Sequence, residues 1–191
     1  KGITYFLVDM RSAGIDIRPL REITGRAMFN EVFLDDVFVP DECVVGEINN
    51  GWRLARTTLA NERVAMGGSA MGEEMRALLD SVEGKDVGER GRTAIGELIG
   101  QAQIGHVLDF RSVLSQLEGR DPGAASSVRK LIGVRHRQAV PEVALDLLGP
   151  DALTAGWLSE LFLRNRCLSI AGGTTQILAT AAAERLLGLP R

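Results

Sequence analysis

The chain has 191 residues, of which 45% are hydrophobic and 25% are charged, with a formal net charge of −3. Such a composition is typical of a globular protein that can bury a core, and the acidic balance excludes an electrostatic attraction to nucleic acid. No apolar run approaches the roughly 20 residues that a membrane span needs, and no signal-peptide pattern opens the chain. We therefore expect a cytoplasmic protein without a membrane span.

Cysteine and histidine are too scarce to indicate a metal site. Cys43 and Cys167 lie far apart and belong to no CxxC motif, so free cytosolic thiols are expected rather than a disulfide. His106 and His136 lack enough soft partners for a metal cluster. Each is interpreted as a residue at a helix surface or an interface, and no metal is predicted.

The first 47 residues have the pattern of β-structure. Short β-rich runs, separated by turn residues such as Gly14, lie at 3–8, 15–20 and 29–39. In the last run a period of two puts Val32, Leu34 and Asp36 on one face. Proline ends this run because it cannot donate to a ladder. A domain rarely begins with a strand that has no earlier partner, so we expect a fragment whose first half is missing.

From Gly51 onward the hydrophobic period becomes helical. Apolar residues recur at spacings of three, four and seven on one face of a long first helix: Trp52, Ala55, Leu59, Met66 and Ala70. A charged, glycine-rich connection is predicted at 84–91. Further helices are predicted at 92–117, from 123–127 to 148, at 157–163 and from about 174 to 187.

The last predicted helix carries clear signals at both ends. Thr174 or Thr175 can cap its free N–H groups, and Gly188 stands where a C-terminal glycine belongs. Strands followed by four longer helices indicate an α+β chain that ends in a four-helix bundle. The pattern alone does not say what the bundle does.

Three segments, in order and at matching spacing, resemble the acyl-CoA dehydrogenase family. They are 2–8 with 29–40 (FNEVFLDDVFVP), 59–63 (LANER) followed by Gly67-Gly68, and 166–177 with the closing 183–191 (AERLLGLPR). The likeness covers essentially the whole chain. It implies that residues 1–47 are the end of the family's β-barrel middle domain and that 48–191 are its C-terminal helical bundle.

The resemblance also implies a chemistry. Family members remove the α and β hydrogens of an acyl-CoA thioester: a carboxylate takes the α-proton, and FAD accepts the β-hydride. Electrons then pass to an electron-transfer flavoprotein, and the enzymes are homo- or heterotetramers. A thioester α-proton is weakly acidic, so the base must lie within hydrogen-bond reach and donors must stabilise the enolate oxygen.

The identity of the base depends on two positions. Many relatives place a Glu immediately before the Gly-Thr of the third segment, where this chain has Gly172, which cannot take a proton. Other relatives place the Glu on the first bundle helix, just before an Arg, and carry glycine at the later position. Glu62, followed by Arg63, matches the second arrangement, and the resemblance therefore implies that Glu62 is the base. The alternative is a solvated helix glutamate.

Other site residues follow from the same resemblance. Arg63, and more weakly Asn61, would contact the CoA portion, beside the substrate-binding glycines at 172 and 173; both polar residues could instead be ordinary helix-surface groups. Three positions match residues that contact FAD in the family, where a helix N-terminus presents N–H donors: Thr174, Thr175 and Gln176. The same three residues could instead form only a turn and a helix cap.

Two departures from the family weaken the expected FAD contacts. The region 84–91 lacks an Arg-x-x-Phe-Gly element whose Arg reaches a neighbouring subunit's FAD. The family's Gln-x-x-Gly-Gly loop has Asp146 in place of Gln and Pro150 in place of the second Gly. An acid near a pyrophosphate is unfavourable, and proline removes an N–H donor. Some bacterial relatives, including those acting on steroid side chains, are heterotetramers in which one subunit type binds flavin poorly.

Three hypotheses therefore remain open. The complete protein is an acyl-CoA dehydrogenase, or a non-catalytic assembly subunit, or a related acyl-CoA oxidase or flavin monooxygenase, because fold alone does not decide between them. The 191 residues by themselves are expected to be inactive. Gly67 and Gly68 could leave room for a bulky acyl group or simply allow close helix packing. The low lysine content resembles the coding bias of a GC-rich bacterium.

Overall fold

A computed structural model describes residues 2–66, 72–120, 125–154 and 156–190. The chain divides into two compact units, residues 1–61 and 62–191. The described residues form four short strands in the first unit, and seven α-helices follow them. The predicted order of strands first and helices afterwards is confirmed.

The strands form two separate antiparallel pairs in the described part of the chain. Strand β1 (Tyr5–Phe6) pairs with β4 (Val44–Val45), which follows a 3-10 turn at Asp41–Cys43. Strand β2 (Ile15–Leu20) pairs with β3 (Phe29–Leu34), with Ile15 opposite Leu34. That these pairs are the end of a larger β-barrel domain stays a prediction.

The predicted third strand was too long. The strand β3 ends at Leu34, and Asp36 has φ of +49°, so the prediction that Asp36 shares a strand face with Val32 and Leu34 is wrong. The physical reason is a turn contact, since the Asp35 amide donates to the Gly14 carbonyl at 2.9 Å. Gly14 itself has φ of +89°, and a Cβ there would lie 2.1 Å from the Asp35 carbonyl oxygen. The predicted turn at Gly14 is therefore confirmed, and it requires glycine.

Seven helices are present in the described residues: α1 (Gly51–Met66), α2 (Glu73–Val82), α3 (Gly88–Leu117), α4 (Ala125–Leu148), α5 (Pro150–Thr154), α6 (Gly156–Arg164) and α7 (Thr175–Leu186). The four longer predicted helices correspond to α1, α3, α4 and α7, and the short one to α6. Two of the seven, α2 and α5, were not predicted. Predicted position 70 lies outside the described residues.

The glycine-rich connection is shorter than predicted. Helix α3 begins at Gly88 rather than Arg92, and the Asp86 carboxylate accepts from the Gly88 amide at 3.0 Å. An acid at a helix N-terminus satisfies a free donor and suits the helix dipole, so charged residues in this segment favour an earlier start. Even α3 and α4, the longest helices described, lack the sustained apolar run that crossing a bilayer demands.

Helix α4 is the centre of the helical unit. It packs against α2, α3, α6 and α7. The buried cluster around it consists of Met75, Leu78, Leu98, Val140, Ala144, Ala152 and Leu158. Fully burying a side chain of the size of Leu or Met contributes about 1.5–3 kcal/mol. This helix therefore holds its neighbours by apolar packing, and its few buried polar groups need a separate explanation.

One of these polar groups corrects a prediction. His136 on α4 is 6% exposed and is therefore a core residue, whereas His106 on α3 is exposed as expected. Within the described part of the chain neither ring nitrogen of His136 has a hydrogen-bond partner. Burial lowers the pKa of His136 below its ordinary 6.5, and the nearby Glu74 carboxylate opposes this shift less strongly. The folded chain therefore favours the neutral imidazole.

Lowering the pH from about 7 to 5 is expected to lower the free energy of unfolding through His136. The unfolded chain takes up a proton near pH 6.5, whereas the folded chain takes it up only at a lower pH. The contribution of His136 to the free energy of unfolding is therefore complete above pH 6.5, and it is lost as the pH falls toward the pKa of the folded chain. Urea unfolding of the complete protein should show a smaller pH slope in His136→Leu than in the exposed control His106→Leu. Equal slopes would contradict this account.

Candidate functional site

The segment between α6 and α7 forms a loop with two consecutive left-handed glycines. A 3-10 helix at Asn165–Ser169 leads into it. Gly172 has φ of +64° and Gly173 has φ of +104°, conformations that L side chains rarely adopt. We call residues 170–174 the glycine loop. The backbone conformation alone therefore favours glycine at both positions.

Thr174 ends the glycine loop and caps α7. It has an extended backbone, and its hydroxyl oxygen accepts from the Ile177 amide at 3.3 Å. Of the two candidate caps, Thr174 is the residue that caps the helix and Thr175 is its first residue. The C-terminal prediction is also confirmed, since Gly188 follows the helix with φ of +66°.

The N-terminus of α7 has the donors that a polar cofactor group would need. The side chains of Thr175 and Gln176 are exposed, and both residues lie in the first turn, where backbone N–H groups have no helical acceptor. Such a helix end favours anionic or polar groups. The three residues predicted to contact FAD thus form one contiguous group, of which Thr175 and Gln176 are exposed, and their chemistry fits that cofactor.

The predicted base lies on a different helix. Asn61 and Glu62 are in the last turns of α1, and both are exposed. Arg63 belongs to the same helix, but its side chain lies outside the described part of the structure, as do Gly67 and Gly68. No hydrogen bond or ion pair joins Glu62 to another described residue. Its carboxylate is therefore accessible to a substrate.

A buried lysine that sequence analysis did not identify as a site residue holds the glycine loop. Lys130 on α4 is 1% exposed. Its ammonium donates to the carbonyl oxygen of Gly173 at 2.8 Å and also to that of Ala171. A signal was present in the sequence, because only three lysines occur and this one stands beside the apolar pair Leu131-Ile132.

A second set of contacts ties the segment before the loop to α4. The side-chain amide of Gln138 donates to the backbone carbonyl of Asn165 at 2.8 Å. The side-chain amide of Asn165 donates in turn to the backbone carbonyl of Arg137 at 2.8 Å. Arg166 donates to the Gln138 carbonyl at 3.2 Å and to the Glu142 carboxylate at 2.7 Å. Side-chain hydrogen bonds to α4 therefore hold the 3-10 helix that leads into the glycine loop.

The two departures from the family pattern have clear structural positions. Asp146 lies in the last turn of α4 and forms an ion pair with Arg90 of α3 at 3.4 Å, with both side chains largely exposed. Pro150 is the first residue of α5, where proline costs least because that N–H would be unpaired. Gly149 before it has φ of +60°. Pro150 therefore starts a helix and offers no donor to a ligand.

Replacing Gly173 by Ala is expected to lower the free energy of unfolding by about 1–3 kcal/mol. The φ of +104° disfavours any side chain, and a Cβ would lie 3.2 Å from Leu178 Cδ2. The matched control is Gly100→Ala in α3, where a Cβ meets nothing within 4 Å and alanine favours the helix by about 0.5–1 kcal/mol. Urea unfolding of the complete protein measures both changes, and equal effects would show that the loop conformation is not strained.

Comparison with known proteins gives a consistent match. The sequence model of the family described as acyl-CoA dehydrogenase, C-terminal domain, matches residues 49–187. The acyl-CoA dehydrogenase FadE34 of Mycobacterium tuberculosis is 59% identical over 192 residues, which cover 100% of this chain and 27% of FadE34. The chain thus spans about a quarter of the length of that relative.

Solved structures share the fold over nearly the whole chain. The Tcur3481-Tcur3483 steroid ACAD has a TM-score of 0.86 at 23% identity, covering 98% of this chain and 52% of that one. The ChsE4-ChsE5 complex from Mycobacterium tuberculosis has a TM-score of 0.81 at 22% identity, covering 98% and 53%. At these identities the likeness shows the fold alone.

Proposed function

The chain belongs to the acyl-CoA dehydrogenase family, and from this premise we propose that the complete protein dehydrogenates an acyl-CoA thioester to the trans-2-enoyl-CoA. The observation that carries the proposal is the pairing of an accessible carboxylate, Glu62 on α1, with a glycine at position 172, where many relatives have their base. A chain that had simply lost the base would not need a carboxylate at the other position.

Glu62 is the proposed base for the α-proton. Its side chain is exposed, and no described neighbour competes for the carboxylate. The residue removes the α-proton as the C–H electron pair moves into the developing enolate, and the proton stays on its carboxyl group. Such a base must lie within hydrogen-bond reach of the Cα, and a positioned general base contributes about 10²–10⁴-fold to the rate.

The remaining residues bind and orient. Arg63 and Asn61 are proposed to contact the CoA portion, where a guanidinium suits phosphate or carbonyl oxygens. The glycine pair at 172 and 173 allows the acyl chain to approach the backbone closely, because neither residue has a Cβ.

FAD is the proposed cofactor, and when bound it supplies the acceptor for the β-hydride. Thr174, Thr175 and Gln176 are proposed to hold it at the N-terminus of α7, using first-turn N–H groups and exposed polar side chains. The fit is supported by accessibility, since nothing in the described chain covers Thr175 or Gln176.

Domain division and assembly are also proposals. We place the end of a middle β-domain at residues 1–47 and the helical bundle at 48–191, a division supported by the family match that starts at residue 49. The chain alone is expected to be inactive, and the complete protein to form a homo- or heterotetramer that reduces an electron-transfer flavoprotein. A steroid acyl-CoA is the proposed substrate class, supported by the steroid ACAD among the fold neighbours.

A second candidate is a flavin-poor or non-catalytic partner subunit. Two observations favour it: Asp146 is an acid and Pro150 has no N–H donor, in the segment that approaches a neighbour's pyrophosphate in the family. Pairing with Arg90 reduces the electrostatic objection to Asp146 but does not restore the donor at Pro150. A complex with a named second subunit is known for the ChsE4-ChsE5 relative in fold.

The experiment that separates these functions is a turnover assay of the complete protein, alone and co-expressed with its genomic neighbour. We expect acyl-CoA-dependent reduction of electron-transfer flavoprotein with little oxygen consumption. Oxygen consumption without that reduction would instead indicate an oxidase or monooxygenase. No turnover in any pairing, together with no bound flavin, would favour the non-catalytic subunit.

A further inference from the structure

Lys130 is a buried cation on α4, the helix that packs against α2, α3, α6 and α7. Its residue is 1% exposed, and its side chain extends from α4 to the carbonyl oxygens of Ala171 and Gly173. Removing an ammonium from water is costly unless hydrogen bonds replace its hydration. The carbonyl contacts supply part of that replacement, so the position of Lys130 is linked to the conformation of the glycine loop.

The glycine loop is the segment that most needs such a contact. Two consecutive glycines with positive φ have more backbone conformations available than any other residue pair, so the sequence alone does not fix their path. The carbonyls that accept from Lys130 belong to the residues on either side of Gly172. One ammonium therefore restrains the backbone on both sides of the left-handed glycine.

The restraint extends to the cap of α7. Gly173 directly precedes Thr174, whose hydroxyl accepts from the Ile177 amide, so a shift of the Gly173 carbonyl would move the cap. Charge-assisted hydrogen bonds are about twice as strong as neutral ones, which makes Lys130 a stronger restraint than a neutral donor.

We propose that Lys130 is a positioning residue that fixes the glycine loop, and through it the N-terminus of α7, for ligand binding. The proposal rests on the proposed function, in which Lys130 has no other role, and in it Lys130 sets the geometry of Gly172 and Thr174. The ammonium acts through the backbone and does not touch substrate or cofactor.

The test compares two variants on the same helix in the complete protein. Lys130→Met keeps an unbranched apolar side chain and removes the donors. Arg137→Met, two turns later, removes an ion pair with Glu74 of α2 and leaves the contacts of the loop carbonyls intact. Both variants remove a partly or wholly buried cation from α4, so the comparison separates loop positioning from a general loss of stability.

Hydrogen exchange of peptides covering 170–178 is the primary measurement. Lys130→Met is expected to exchange about 10–100-fold faster in this segment than wild type, while peptides of α3 change no more than in Arg137→Met. Titration of the deflavinated protein with FAD, followed by flavin fluorescence, is expected to give a Kd raised at least about tenfold in Lys130→Met and by less in Arg137→Met. If Lys130→Met fails to fold, Lys130→Gln, which keeps a shorter donor, is expected to give an intermediate rate.

Exchange at 170–178 that is no faster in Lys130→Met than in Arg137→Met would overturn the proposal, and so would a Lys130→Gln variant indistinguishable from wild type. A wild-type protein that binds no FAD and oxidises no acyl-CoA would remove the proposed function. The exchange comparison would still decide whether Lys130 positions the loop.

Discussion

Glu62→Gln is expected to lower kcat for acyl-CoA dehydrogenation by about 10²–10⁴-fold, the contribution of a positioned general base. Glutamine keeps the size and hydrogen-bonding shape of the side chain but cannot accept the α-proton. Because Glu62 is exposed on α1 and makes no described ion pair, the change should leave the fold unaffected. Binding of acyl-CoA should persist, so KM should change far less than kcat.

The control for this variant is Glu97→Gln on α3, another exposed helix glutamate for which no role is proposed. It is expected to keep wild-type kcat. If both glutamines had equal activity, Glu62 would be a solvated surface residue, as the alternative interpretation of the sequence holds.

A rescue variant tests the same assignment from the other side. Adding Gly172→Glu to Glu62→Gln returns a carboxylate to the position that many relatives use, and partial recovery of kcat is expected. Recovery should be incomplete, because φ of +64° disfavours a side chain by about 1–2 kcal/mol. A double variant no better than Glu62→Gln would contradict the idea that the two positions serve one acyl Cα.

Arg137→Met is expected to lower the free energy of unfolding by about 3 kcal/mol, because it leaves a buried carboxylate without its partner. Arg137 donates twice to Glu74 Oε1, at 3.0 and 2.8 Å, and the Glu74 side chain is only 8% exposed. Desolvation would raise the pKa of Glu74, but its own backbone amide, Arg137 and Arg164 together hold that pKa below its usual value. The carboxylate therefore stays charged and needs its cation.

The matched control is Arg90→Met, which removes the ion pair with Asp146. That pair joins side chains that are 93% and 72% exposed, so its loss is expected to cost about 0–1 kcal/mol. Urea unfolding of the complete protein measures both. A cost for Arg137→Met no greater than that of Arg90→Met would show that Glu74 finds other partners.

Sequence patterns predicted the helical unit well where local signals decide the structure. Thr174 and Gly188 are end signals whose effect is local, and both act as predicted. The strands were predicted less well. All six residues of β3 are exposed, so its alternation of apolar and polar residues does not correspond to one buried and one exposed face. The turn that ends β3 before Asp36 depends on the hydrogen bond between Asp35 and Gly14, which lies more than 20 residues earlier. A hydrophobic period cannot predict such a contact.

The buried polar residues of α4 escaped prediction for a related reason. Lys130 lies 41 residues before Ala171 in the sequence, and only the packing of α4 against α7 brings it to the glycine loop. His136 likewise has the sequence context of a surface residue and is nevertheless buried. Family resemblance led to the predicted roles of Glu62 as base and of residues 174–176 in FAD binding, but it predicted no role for either α4 residue.

The most direct test of the account is an anaerobic titration of the complete protein, co-expressed with its genomic neighbour, with acyl-CoA thioesters, including a steroid side-chain thioester, while the visible flavin spectrum is recorded. We predict that the flavin band bleaches with the wild-type protein and persists with Glu62→Gln. A bound flavin that no thioester bleaches, or one that bleaches equally in Glu62→Gln, would contradict the assignment of Glu62 as the base of an acyl-CoA dehydrogenase.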